Sequence, residues 1–330
     1  MKKRLAENTV KYDIFYGTVP LIGVEVEVQR YKSKDGFKVV RNELYGKKLS
    51  VLWAQRHEWK CKCKECSIIG TTLMYPVQWK PQYDGSLPSI HVKDEEDEEY
   101  DAHEPGIEWI SSIMPVVPVF IETAKQAIEI IVRDAMWEDG LTDKHGRPSY
   151  PSFHVHCSLD KSAVPSYYYD KNFLKEVQRT FCEYYPELLA LASSCGYTRK
   201  NLFFRSPNYL SPDDGESHHI FIAPAQKHYE WRIWEAPPGN VDYYESAMYV
   251  SASLTQASLN YNVLRTLEGI GLVYISPKGL DSAEEYLKHV NARRLEALRI
   301  AATECSTIVA NERGVNAINR MFGQAEERFL

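Results

Sequence analysis

Gly23-Val24-Glu25-Val26-Glu27-Val28-Gln29 decides how the rest of this chain is read. Its period is two, with valines on one side and Glu25, Glu27 and Gln29 on the other. As a strand it presents two carboxylates about 7 Å apart on one face. Two glutamates on one strand face repel unless something positive lies near them, and a hard cation meets that need. A solvated strand face is the simpler reading of this stretch alone. The same alternation returns on three further strands, and that recurrence favours a site.

Pro105-Gly106-Ile107-Glu108-Trp109-Ile110 is a short strand with one carboxylate in apolar surroundings. Phe153-His154-Val155-His156-Cys157-Ser158-Leu159 again has period two, which puts His154, His156 and Ser158 on one face. Such a pair of imidazoles suits metal or phosphate. In Tyr229-Glu230-Trp231-Arg232-Ile233-Trp234-Glu235, Glu230 and Arg232 share a face; an exposed ion pair between them would contribute little by itself. A curved antiparallel sheet would gather these four faces onto its concave side, with the long helices on its convex side. The fold class expected is therefore α+β. Carboxylates in this number suit Mg2+ or Mn2+, and arginines match phosphate oxygens. The chain has no GxxxxGK[ST], GxGxxG or HExxH segment, so any nucleotide chemistry would run through strands and metal.

The intervening segments set the domain plan. Leu21 to Tyr31 leads through Lys34-Asp35-Gly36 into Phe37-Lys38-Val39-Val40, which predicts a hairpin. An insertion at about 50–70 follows. Within it His57, Cys61, Cys63 and Cys66 offer one imidazole and three thiols, a set that suits a tetrahedral structural Zn2+, with free loop thiols as the alternative. A closed four-ligand site of that kind would be a staple and not a catalytic centre. Thr71 to Trp79 reads as a strand, Tyr83-Asp84-Gly85-Ser86 as a turn, and the acidic run Asp94 to Asp101 as a solvated loop. Pro118 to Glu138 and Tyr169 to Cys195 have helical spacing, with Pro186 expected to kink or split the second. Between them and the last strands lies a basic loop with Arg199, Lys200 and Arg205, a candidate anion cradle. From Val241 onward the pattern is helical, so residues 1–240 are read as a sheet domain and 241–330 as its helical C-terminal region.

Composition bounds the function classes. The chain has 330 residues, 44% hydrophobic and 25% charged, with a net charge of -6, so duplex nucleic acid is not an expected partner. Seven cysteines, three of them within six positions, fit a reducing compartment better than a disulfide framework. The amino-terminal segment lacks a signal-peptide core, and no window approaches the roughly 18 apolar residues of a membrane span, so a cytoplasmic protein with no membrane partner is expected. The helical C-terminal third could supply an interface for a homo-oligomer.

Taken in order, Gly23-Val-Glu25-Val-Glu27, Asp84-Gly-Ser-Leu, Gly106-Ile-Glu108, His154-Val-His156-Cys-Ser158-Leu, the loop around Arg205 and Tyr229-Glu230-Trp-Arg232 resemble the carboxylate-amine ligase superfamily of glutamine synthetase and glutamate-cysteine ligase. They are most similar to its small amidoligase branch, and their order follows glutamate-cysteine ligase. The resemblance spans about residues 20–240 and leaves out the cysteine insertion and the acidic loop.

What it implies is a glutamine-synthetase-like half-barrel and ATP-dependent amide bond formation. A carboxylate substrate, glutamate by family habit, would attack the γ-phosphate, and an amine would displace phosphate from the acyl phosphate. By carry-over, Glu25, Glu27, Glu108, His154 and Glu230 would hold Mg2+ or Mn2+, and His156 and Ser158 would meet ATP. Arg205 and Arg232 would neutralise the transferred phosphoryl group, and Asp84 would orient or deprotonate the incoming amine. Two other readings compete. One is a zinc or iron enzyme centred on His154 and His156 with Asp160, and the other is a non-catalytic binding protein on a ligase-like fold.

Overall fold

The computed structural model describes residues 20–33, 35–55, 79–83, 87, 89–91, 103–136, 151–159, 168, 170, 173, 177–178, 180–181, 183–196, 222–225, 228–258, 287–304 and 312–330. In chain order these form β1 (Leu21–Val28), β2 (Arg30–Tyr31), α1 (Gly36–Gln55), β3 (Trp79–Tyr83), β4 (Ser89–His91), β5 (His103–Pro105), β6 (Ile107–Ser111) and β7 (Met114–Pro115). Then come α2 (Pro118–Val132), β8 (Ala135–Met136), β9 (Ser152–Ser158), α3 (Tyr185–Ala192), β10 (Ile222–Ala225), β11 (His228–Glu235), α4 (Val241–Ser258), α5 (Ala292–Glu304) and α6 (Glu312–Phe329). The class is α+β, as expected.

The main sheet is open and antiparallel throughout, in the order β10-β11-β9-β1-β6-β3, with β7 also paired to β1. Pro81 is tolerated because β3 lies at the edge of this path, where a missing N–H breaks no inner ladder. Period two sorts each strand into a dry face and a polar one. Ile22, Val24, Val26, Trp109, Phe153, Val155, Cys157, Tyr229 and Trp231 are buried on the dry face. There β1 pairs Val24 with Val155 and Val26 with Phe153 and Trp109, so the valines meet large apolar side chains on both sides.

Helix α4 is the central element of the helical layer, because every residue from Tyr243 to Ser258 is buried. A helix with no wet side must be wrapped. It packs on β1, β9 and β11 and against α2, α5 and α6. Its hydroxyls satisfy the sheet's indoles: Trp231 Nε1 donates to Thr255 Oγ1 at 2.9 Å and Trp234 Nε1 to Ser251 Oγ at 2.7 Å. Phe153 meets Tyr244 edge-on, with ring centroids 4.9 Å apart. Glu245, buried in the same helix, binds Lys125 at 2.9 Å and also pairs with Arg313, tying α2 and α6 to α4.

Two expectations are corrected. The segment after Lys34-Asp35 is not the second arm of a hairpin but helix α1. Phe37, Val40 and Leu44 follow helical spacing; Val40 and Leu44 are buried, and Phe37 packs against the same core. Gly36 serves close packing there: a Cβ on it would lie 2.3 Å from Tyr31 Cβ. Helix α2 ends at Val132 and not near Glu138, because Ala135 and Met136 turn away to pair with Tyr31 and Arg30. Pro186 does divide its segment: Tyr184 is non-helical, with φ -96° and ψ 16°, and α3 starts behind it. The expected strand from Thr71 lies outside the described residues up to Trp79, as do His57, Cys61, Cys63 and Cys66 with the zinc expectation. No helix among the described residues is long and apolar enough to cross a membrane.

Candidate functional site

Four neighbouring strands, β11, β9, β1 and β6, bring the polar faces together. Antiparallel register sets Glu27 opposite Glu108, Glu25 opposite His154 and Glu230 opposite His156. Gly23 is the partner of His156, and a Cβ built on it would meet nothing within 4 Å, so the sheet floor is open at that point. One register shift in the β9–β11 pairing, between Trp231 and Trp234, marks a bulge beside Arg232. Bulges re-aim side chains, and this one lies where the site needs a particular direction.

Glu25 is the hub. Its Oε2 is 3.1 Å from His154 Nδ1 and its Oε1 is 3.0 Å from His156 Nε2. His154 also reaches Glu230 Oε1 at 3.6 Å through Nδ1 and Glu27 Oε1 at 3.7 Å through Nε2. Glu27 is held from behind, where its Oε2 accepts from both the backbone N–H and the hydroxyl of Ser152, at 2.7 and 2.8 Å. Glu230 takes a two-pronged contact from Arg232, Nε to Oε1 at 2.5 Å and Nη2 to Oε2 at 2.9 Å. Glu27, Glu108, His154 and Glu230 are buried, while Glu25 and His156 are half-buried.

Burial by itself would raise the Glu25 carboxyl, but the imidazoles of His154 and His156 outweigh it and hold the group well below the usual carboxylate range. Glu25 is thus an anion here. His228 is shifted the other way, below an ordinary imidazole, by burial first and then by the charge of His156. A neutral ring at that position can accept a hydrogen bond, and its Nε2 lies 3.0 Å from His156 Nδ1.

Ligand atoms converge in two groups, Glu25 with Glu108 and His154, and Glu25 with His156 and Glu230. Within each group the three atoms lie within 4.8 Å of one another. A divalent cation fits the donor set in both, since each group offers two carboxylates and one imidazole. His156 Nε2 lies 3.0 Å from Glu25 Oε1, close enough to pair with the carboxylate as a donor or, with the ring's proton on Nδ1, to share a cation with it.

Of the residues singled out in the sequence, Glu25, Glu27, Glu108, His154, His156, Glu230 and Arg232 share this face. Ser158 lies at the far end of β9, opposite Leu21 and away from the hub. Asp84, Asp160, Arg199, Lys200 and Arg205 lie outside the described residues. Two contributors were missed, Ser152 and His228. Each precedes a recognised residue by two positions on the same strand, so the period-two reading carried one step further reaches both. No protein-family model matches this chain, and no curated protein matches it either.

Proposed function

We propose that this protein is an ATP- and Mg2+-dependent carboxylate-amine ligase that forms an amide bond through an acyl phosphate, on a sheet built like the glutamine-synthetase half-barrel. The observation that carries this reading is that Glu25 belongs to two three-ligand groups on one sheet face. A carboxylate shared in this way supports a pair of hard cations, and such pairs serve phosphoryl transfer by clamping the attacking and leaving oxygens. Mg2+ or Mn2+ is favoured over zinc because carboxylate oxygens outnumber imidazoles in both groups. Among the described residues His154 and His156 fall in different groups, each with two carboxylates.

In this reading Glu25, Glu27, Glu108, His154, His156 and Glu230 hold the cations, which supply charge neutralisation for the nucleotide phosphates. His156 thereby moves from the nucleotide to the cations, and Ser158 remains the proposed nucleotide contact on β9. Arg232, held by Glu230, and Arg205 would neutralise the transferred phosphoryl group. The substrate carboxylate oxygen bonds to the γ-phosphorus as ADP leaves. The amine nitrogen then bonds to the acyl carbon, inorganic phosphate leaves, and Asp84 takes the amine proton. Glutamate is the first acid to try, and the amine ranges from ammonium to a peptide end.

The test is phosphate and ADP release from ATP and Mg2+ across a panel of acids and amines. The expected result is release that needs both an acid and an amine and matches amide formed. Tight ATP binding with no release on any pair would favour a binding protein instead.

A further inference from the structure

We propose that His228 is a positioning residue that sets the tautomer of His156, and so turns His156 Nε2 into a ligand atom for a divalent cation shared with Glu25 and Glu230. This rests on the cation-binding reading above. The 3.0 Å contact between His156 Nδ1 and His228 Nε2 admits one proton, carried by one ring or the other. If His228 carries it, His156 must bear its own proton on Nε2. That atom lies 3.0 Å from Glu25 Oε1, so its proton would be spent on the carboxylate and leave no lone pair for a cation.

If His156 carries the shared proton on Nδ1, its Nε2 presents a lone pair to Glu25 and Glu230. Three lone-pair donors facing one another are the ligand set a divalent cation takes. The rings are tilted and not stacked, with centroids 5.0 Å apart and planes inclined at 58°. Backbone geometry supports the same pairing. His228 and Glu230 lie two apart on β11, and Glu230 is the register partner of His156, so one strand supplies both the ligand and the group that orients its neighbour. Histidine ligands generally have their second nitrogen fixed in this way.

The test uses the full chain and Mn2+ alone, with free Mn2+ followed by its electron spin resonance, on wild type, His228→Phe and His228→Gln. The wild type is expected to take up two ions. His228→Phe should weaken one of them by about 10–100-fold and leave the other unchanged. His228→Gln should restore much of the loss, because its amide oxygen can accept from Nδ1. Should the phenylalanine not fold, His228→Ala carries the same comparison. Two unchanged affinities in His228→Phe, or no rescue by glutamine, would overturn the tautomer assignment while leaving the cation site intact. A wild-type chain that takes up no Mn2+ would instead overturn the cation reading on which it rests.

Discussion

Glu25→Gln should lose both cations together, and with them turnover. Loss of a residue that only orients a ligand costs about 10–100-fold in metal affinity. Glu25 is the proposed ligand common to both groups, so a fall of about 100-fold or more at each is expected. Stability should change far less. The variant gives up charge-assisted contacts to His154 and His156, yet it also relieves repulsion among Glu25, Glu27, Glu108 and Glu230 on one sheet face. Mn2+ binding, phosphate release and thermal unfolding would be measured side by side. A Glu25→Gln protein that keeps one of its two ions at full affinity would show that the two groups do not share this residue. Glu27→Gln makes a useful contrast, since one Glu27 oxygen is committed to Ser152.

The second large effect concerns stability and lies away from the site. Arg294→Met is expected to destabilise the fold by about 3–5 kcal/mol, the usual result of stranding one half of a buried ion pair. Arg294 on α5 is 2.7 Å from Glu187 on α3 through Nε, and its Nη2 donates to the second carboxylate oxygen at 3.2 Å. Its guanidinium also lies over Tyr184, 5.0 Å from the ring centre. Both charged groups are buried, Glu187 completely so.

Burial pushes the Glu187 carboxyl up to about 7, with Arg294 pulling back toward ionisation. A carboxyl raised above its unfolded value near 4.5 favours folding most below that pH, and the benefit is lost as pH rises through about 7. Removing the arginine pushes it higher still, so the damage in Arg294→Met should be greater at pH 8 than at pH 5. Urea midpoints at the two pH values check the sign. Replacing both partners, Glu187→Leu with Arg294→Met, should recover most of the loss, because no buried charge is left unpaired. Equal midpoints for wild type and Arg294→Met at pH 8 would remove this pair from the account of how α5 is anchored.

The site was more legible in the sequence than the scaffold around it, and the reason is local. Alternation along a strand fixes which side chains share a face, so Glu25 with Glu27, His154 with His156, and Glu230 with Arg232 could be paired from spacing alone. Which strands adjoin is not local, and neither is the register that sets Glu27 against Glu108. Lys34-Asp35-Gly36 misled because Asp-Gly is a strong turn signal, whereas Gly36 is there to let α1 cross Tyr31. Helix α4 was legible as a helix from Val241 onward but not as the wrapped centre of its layer, since a helix buried on every side has no polar face to show which way it packs. The Glu187 and Arg294 partnership joins residues 107 apart, and no spacing rule reaches that far.

Calorimetric titration of ATP into the full chain, with and without Mg2+, tests the ligase reading most directly. Saturable binding that requires Mg2+ and disappears in Glu25→Gln is the predicted result, because the nucleotide would be held through cations and strands in a chain without a glycine-rich phosphate loop. Absence of ATP binding with Mg2+ present, or binding of equal strength in Glu25→Gln, would contradict it.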